Sequence, residues 1–252
     1  MYIYNIIKLI AAVKKIFILF SVMPLLVNGQ NTKRDQGGKN ISIDFSFSPD
    51  YNYRALKNND GSSSSDMVID FRNNIEKGKF GFTTGLNLNI KVSEKLEFQT
   101  GLLYSNKGHK IQKQATFFPL PMPNQPTHYK SNVSFNYLEI PLKLNFISGK
   151  GKARFIAGAG LAANFLLKES ERITFFYADG KEEKRKQSLT SDYNKFNLSS
   201  LISAGVEFKL KEKISLRVEP TFRYGLLKIV DQPVTAHLWN LGMDLGVYGK
   251  LK

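Results

Sequence analysis

Between Phe80 and Val92 the chain alternates strictly. Phe80, Phe82, Thr84, Leu86, Leu88, Ile90 and Val92 share one parity, while Gly81, Thr83, Gly85, Asn87, Asn89 and Lys91 share the other. Successive side chains of a strand point to opposite faces, so the segment reads as a two-sided strand and excludes an amphipathic helix. The same period recurs along the chain. Apolar faces are read at Ile41, Ile43, Phe45 and Phe47; at Leu96, Phe98, Leu102 and Tyr104; and at Leu138, Ile140, Leu142, Leu144 and Phe146. They continue at Ala153, Phe155, Ala157, Leu161 and Phe165, then at Phe196, Leu198, Ile202, Val206, Phe208 and Leu210. The last two are Ile214, Leu216, Val218, Phe222, Tyr224 and Leu226, and Trp239, Leu241, Met243, Leu245 and Val247. The pattern predicts eight strands, an even number that lets an antiparallel barrel close with both ends on one side.

Connection lengths sort in the same way. Ser93-Glu94, Ser148 to Gly151 and Lys211-Glu212 read as tight turns, whereas Arg54 to Lys77, Lys110 to Lys130, Lys168 to Asp192 and Ile229 to Thr235 read as long loops. Short turns at one end and long loops at the other is the arrangement of outer-membrane barrels. Several runs exceed ten residues, enough to cross a bilayer at a tilt, which takes about nine to eleven residues. Aromatics cluster near strand ends: Tyr53, Phe80, Tyr104, Phe165, Phe196, Tyr224 and Trp239 toward the loops, and Phe98, Phe146, Phe155 and Phe208 toward the turns. Two such rings suit the two interfaces of a membrane. The expected fold is an all-β, eight-stranded antiparallel up-and-down transmembrane β-barrel over residues 41–252.

The polar face decides between lipid and water outside. It carries small residues, among them Gly81, Gly85, Gly101, Gly158, Gly160, Ser199, Ser203, Gly205, Gly242 and Gly246, as the inside of a narrow barrel requires. Among these stand Asp44, Glu97, Glu139, Lys143, Arg154, Glu207, Lys209, Arg217, Glu219, Arg223 and Asp244. Acids and bases of similar number predict a mutually neutralising lumen network and a plugged interior.

Residues 1–29 read as a signal peptide: Lys14 and Lys15 precede the apolar run from Ile16 to Val27, and small or modest residues precede Gln30. Lys8, Lys14 and Lys15 make an uncleaved helical anchor expensive in hydrocarbon. Residues 30–40 form a short polar leader. The chain has no cysteine, so an exported form has neither disulfides nor a lipid-attachment site. Its formal net charge is +15. Export argues against nucleic acid, which leaves outer-membrane lipid and lipopolysaccharide phosphates, or an acidic envelope or secretion protein, as the expected partners.

At Tyr137-Leu138-Glu139-Ile140-Pro141-Leu142, with Leu96 to Ser105, Lys107-Gly108 and Gly85-Leu86-Asn87 before it, the chain resembles the PorT-like outer-membrane β-barrel proteins. The resemblance covers about Phe80 to the C-terminus and implies a Gram-negative outer-membrane barrel. The family's founding type belongs to a protein-secretion apparatus, which implies an accessory role in secretion or envelope assembly. It offers no catalytic residues. Two features depart from outer-membrane barrels. The chain ends Tyr248-Gly249-Lys250-Leu251-Lys252 rather than on an aromatic, with Leu251 keeping the outward face; and Pro141 and Pro220 fall within strands. Near Pro141 the apolar positions switch from odd (Val133, Phe135, Tyr137) to even (Leu138, Ile140), which predicts a β-bulge.

Chemistry is sparse, and the expectation is no enzyme, no cofactor and no metal. Gly158-Ala159-Gly160-Leu161-Ala162-Ala163 matches a loose dinucleotide fingerprint, but alternation runs through it and no helix starts there. His109, His128 and His237 are expected near the loop ends, with Asp50, Asp231 and Ser105 nearby, without the spacing of a triad or a metal site. Lys107, Lys110, Lys113 and Lys130 flank a proline-rich apolar tip, Phe117-Phe118-Pro119-Leu120-Pro121-Met122-Pro123, which reads as a contact loop for lipopolysaccharide or a partner protein. Lys181 to Lys186 reads as a solvated hairpin tip of mixed sign. The expected role is structural or interactive. Rival readings are a small-solute channel, a rim hydrolase using His237 or Asp231, and a soluble periplasmic lipocalin-like binder.

Overall fold

Alternating segments with their apolar parity outward form long strands that bond edge to edge. The computed structural model describes residues 41–120, 124–189 and 192–250. The signal segment 1–29, the leader 30–40, the Pro121-Met122-Pro123 part of the tip and Leu251 lie outside the described residues. The elements are β1 (Ile41–Asn58), α1 (Ser63–Ile75), β2 (Glu76–Lys91), β3 (Leu96–Ala115), β4 (His128–Ser148), β5 (Ala153–Phe176), β6 (Glu182–Gln187), β7 (Phe196–Lys209), β8 (Ile214–Gly225) and β9 (Val234–Lys250).

All pairings are antiparallel, and the order is β4-β3-β2-β1-β9-β8-β7-β5-β6. β4 also pairs with β5 from Ser148↔Phe155 to His128↔Phe176, so the ladder returns on itself. The first and last described strands meet at Ser42↔Lys250. The expected count of eight is amended to nine, because β6 forms in the loop between β5 and β7 and pairs with β5 over Glu171–Phe176.

The turns at residues 92–95, 149–152 and 210–213 share the end where β1 begins, and the longer connections lie at the other. Strands extend well into segments expected as loops. β3 continues to Ala115 and β4 begins at His128, so Lys110, Lys113 and Lys130 sit on strands and the true loop is residues 116–127. Likewise β5 runs through residues 168–176. The segment Arg54 to Lys77 holds α1, for which Ser62 is the N-cap, its hydroxyl accepting from the Ser65 amide at 3.2 Å, with Asp66 in the first turn and Arg72 in the last.

Outward parity is apolar and exposed over a continuous band: Ile43, Phe45, Phe47 and Tyr51 on β1, Phe82 and Leu86 on β2, Leu144 and Phe146 on β4, and Leu241 to Val247 on β9. The ten steps of β1 from Ile43 to Tyr53 cover about 33 Å along the strand, or about 25 Å of height at the tilt of a barrel strand. Toward the long connections the band ends in touching aromatics. Trp239 lies 6.2 Å from Tyr51, 6.1 Å from Tyr53 and 6.1 Å from Phe222, and Tyr51 lies 5.8 Å from Phe80. Phe165 and Phe196 continue the row at 5.5 Å.

The bulge expected near Pro141 is not in β4. Odd residues of β4 are buried inward along its whole length, from Ser131 through Val133, Phe135, Tyr137, Glu139, Lys143 and Asn145. The register shift falls instead between Asn136 and Tyr137 against β5, where Leu167 is the extra residue. What switches in β4 is the chemistry of the inward side chains and not their direction.

Candidate functional site

The inward parity of the strands builds a filled interior in tiers. Nearest the turns, Arg217 is surrounded: its guanidinium lies 2.8 Å from Glu97, 2.8 Å from Glu207, 3.0 Å from the Tyr248 hydroxyl and 3.9 Å from that ring's centroid. Arg154 also pairs with Glu207. Asp44 accepts from Asn87 at 2.9 Å and Asn89 at 2.6 Å, and Asn145 donates to Gln99 at 3.0 Å. The next tier joins Lys143 to Glu219 at 3.2 Å, with Ser203 donating to the same carboxylate at 3.2 Å. Above it Arg223 reaches Asp244 at 2.7 Å and Asp50 at 3.8 Å, while Asp50 accepts from Ser48 and Thr83 at 2.6 Å each. A Cβ at Gly242 would overlap Asp50 and Ser48, so glycine there makes room for the carboxylate. Lys107 then meets Glu139 at 2.6 Å, with Ser105 donating at 2.5 Å.

Burying charge in this way is tolerable because nearly every carboxylate and cation has a bonded partner. Ten of the eleven residues expected in the network line this interior. Lys209 does not: it is an exposed side chain at the end of β7. Sequence reasoning missed Asp50, placed at the rim, and Lys107, placed in the contact loop. Counting by twos finds both, since Asp50 shares parity with Asp44 and Lys107 with Glu97 and Ser105.

Beyond the aromatic row the interior changes character. Val133, Phe135, Tyr137, Leu166, Ile229, Val230, Ala236 and Leu238 pack as an apolar core, with Leu56, Leu189 and Tyr193 against it. Phe135 is 1% exposed and meets Tyr193 edge-on at 4.9 Å. A residual cavity of about 10 Å³ separates this core from Lys107, about the space of one water.

Above the core sits a charged rim. Glu76 is buried and accepts from Arg54 and Arg72 at 2.6 Å each, with His109 Nε2 at 3.4 Å. Burial pushes the His109 imidazole down to about 4, despite Glu76 beside it, with Arg72 and Arg54 adding to the depression. The two guanidiniums and the histidine hold Glu76 below the usual carboxylate range, outweighing the cost of burial. His109 is therefore neutral at pH 7.

The rim residues weighed for catalysis are not brought together. His128 neighbours Thr127, His237 stacks on Tyr224 and holds the Gly225 carbonyl at 3.0 Å, and Asp231 pairs with Lys228 at 2.5 Å. Asp50 and Ser105 are buried in the interior. Gly158 to Ala163 lie in the middle of β5, so the fingerprint has no helix N-terminus. Of the expected contact loop, Phe117 and Phe118 are both exposed, Phe117 at 90%, and Lys110, Lys113 and Lys130 are exposed on β3 and β4.

A family model described as outer membrane protein beta-barrel domain matches residues 28–231. Among solved structures, the chain is similar to Neisserial surface protein A, at 13% identity and TM-score 0.44, over 86% of this chain and 100% of that one. It is also similar to the N-terminal β-barrel domain of Pseudomonas aeruginosa OprF, at 14% identity and TM-score 0.35 over 84% and 99% of the two chains. A third is Ail, the attachment invasion locus protein of Yersinia pestis, at 14% and 0.31 over 83% and 99%. A search of the curated proteins finds no match.

Proposed function

Since the chain belongs to the outer membrane protein beta-barrel domain family, we propose that it is a sealed barrel, crossing the outer membrane with eight strands, whose role is structural or interactive. On this reading β6 stays outside the bilayer, and the long ends of β3, β4 and β5 carry the interaction surface. The observation that supports sealing is the continuous stack of bonded charges beneath an apolar core. A barrel of this strand number has room for side chains inside but not for a stream of water as well. The outward apolar band favours lipid over water and argues against a soluble binder.

The sealing is tested in planar bilayers. The full-length protein should give no stepwise conductance, and ion-selective openings in the unmodified protein would favour the small-solute channel instead. The finer reading, an accessory of secretion or envelope assembly, draws on the resemblance at Tyr137 to Leu142. A photo-crosslinker at Phe117, exposed at the tip between β3 and β4, should then capture an envelope protein in intact cells. If deleting residues 117–123 left partner capture and envelope integrity unchanged, the tip would have no such role.

A further inference from the structure

Past the aromatic row, β3, β4, β5 and β6 continue as a sheet whose register lines up cations. Lys110 pairs across to Asn132, Asn132 to Arg172, and Arg172 to Lys186, while Lys77 of β2 extends the row by pairing with Lys110. Two residues further out, Lys130 pairs with Thr174 and Thr174 with Lys184. These residues have the parity opposite to Val133 and Ser131, so both rows face away from the apolar core. Between them lies a groove of about 560 Å³, lined by Lys110, Lys130, Arg172, Lys184 and Lys186 with Asn132 and Thr174.

Like charges directly opposite on a sheet repel, and Arg172 against Lys186 is such a pair. Inside the barrel Lys107, Lys143, Arg217 and Arg223 each have a carboxylate partner. Among the described residues none of the five groove cations has one. Arg185, which also borders the groove, is already bonded to Glu183 at 2.6 Å. Glu182 shares the parity of Lys184 but lies opposite Phe176, at the outer end. The Phe176 ring gathers more positive charge, with Lys113 at 4.4 Å and Lys130 at 4.9 Å from its centroid. Next to the inner row, buried Lys79 donates to Ser134 at 2.6 Å. Cations kept unpaired and adjacent leave a positive field that an external anion would complete.

The height of the groove selects the anion. Six residues separate Tyr104 of the aromatic row from Lys110, about 20 Å along the strand and about 15 Å above the acyl boundary at a barrel tilt. That is above the acyl chains and level with a sugar headgroup. We propose that this groove binds the phosphorylated oligosaccharide headgroup of the outer-leaflet glycolipid. Arg172 offers a planar fork to a phosphate, the lysines supply point charges, and Asn132 and Thr174 supply neutral hydrogen bonds to sugar hydroxyls. The inference takes the membrane-embedded barrel as given and does not depend on the lumen being sealed.

The test uses full-length protein in detergent, titrated with lipopolysaccharide, with the same lipopolysaccharide after enzymatic dephosphorylation, and with a soluble sulfated oligosaccharide. The triple variant Lys110→Gln, Arg172→Gln and Lys186→Gln is compared with Lys211→Gln and Lys213→Gln at the turn end. The wild type should prefer the phosphorylated lipid by about tenfold or more, and the triple variant should lose that preference while the turn-end variant keeps it. Heat-modifiable migration on gels checks that each variant is folded, and Lys110→Arg with Lys186→Arg should retain binding. Equal affinity for dephosphorylated lipid, or an unchanged triple variant, would overturn the proposal. Tight binding of the sulfated oligosaccharide without preference for the phosphorylated lipid would overturn it in favour of a soluble ligand.

Discussion

The two halves of β4 run through the same alternation with opposite chemistry. In the half nearer the turn, Glu139, Lys143 and Asn145 point inward while Leu142, Leu144 and Phe146 point out. In the outer half, Val133, Phe135 and Tyr137 point inward while Lys130 and Asn132 point out. Direction is fixed by backbone geometry, so the inversion reports a change in what surrounds the strand. Where lipid lies outside, the interior takes the polar groups; where water lies outside, the interior becomes an ordinary apolar core. The boundary falls between Tyr137 and Glu139, at the height of the touching aromatics.

The largest effect should come from unpairing the deepest charge. Arg217→Leu leaves Glu97 and Glu207 facing each other in the interior and should cost about 3–5 kcal/mol in urea unfolding from lipid vesicles. Replacing Glu207 by Gln in the same chain should recover part of it. Phe135→Ala should cost about 3 kcal/mol, but through the outer core alone. Hydrogen exchange should then speed up in β4 before residue 137 and leave residues 139–146 protected. Equal deprotection of both halves would mean that they are one cooperative unit.

The outward face gives a sharper contrast. Leu142→Arg puts a charge into the lipid band and should cost about 2–4 kcal/mol, whereas Asn132→Arg, same strand and same face, should cost nearly nothing. If both were neutral, the apolar band would not be facing lipid. The smallest effect is the pH response of the rim. The folded His109 takes up a proton near 4, whereas an unfolded histidine does so near its ordinary 6.5. Stability should therefore fall as pH drops from about 6.5 toward 4, by about 1.4 kcal/mol per unit at most, and level off below. Glu76, held low by Arg54, Arg72 and His109, adds loss in the same direction below the usual carboxylate range. His109→Phe should flatten the slope above pH 5 and shrink the Glu76 contribution, which Arg72 and Arg54 alone would then support.

Inside the lipid band the pattern was legible apart from Asp50, Lys107 and Lys209, because alternation there separates two very unlike environments. Asp44, Glu97, Glu139, Arg217 and Arg223 could be assigned inward by parity alone; Lys107–Glu139 and Arg223–Asp244 then pair across adjoining strands, whereas Arg217–Glu97 crosses the interior from β8 to β3, which strand order does not foretell. Beyond the band both environments are mixed, and reading failed in a consistent way. By the rule of an outward apolar face that holds in the band, the parity of Val133, Phe135 and Tyr137 points outward, whereas these side chains are buried inside. A bulge in β4 would be needed to reconcile that parity with Leu138 and Ile140, but the extra residue at this height, Leu167, belongs to β5. β6 was hidden because Glu182 to Gln187 is charged on both faces, and its pairing with β5 comes from register across a turn. α1 had a local signal in Ser62 to Asp66, an N-cap with an acid in the first turn, but a helix of 13 residues inside a barrel loop breaks no strand pattern and so was passed over.

The pairing of β1 with β9, from Ser42↔Lys250 to Asn58↔Val234, joins residues about 175 to 210 positions apart, while the other ring contacts join neighbours along the chain or nearly so. Hairpins can zip one after another as the polypeptide is delivered, but closure must wait for the last of them. Until then the growing sheet has two open rims of unsatisfied amides and carbonyls, β1 at one and the newest strand at the other. In hydrocarbon those rims would be prohibitive. Assembly must therefore complete closure in step with entry into the bilayer, and a chain stopped before β9 would be left with a seam that invites a neighbour's strand.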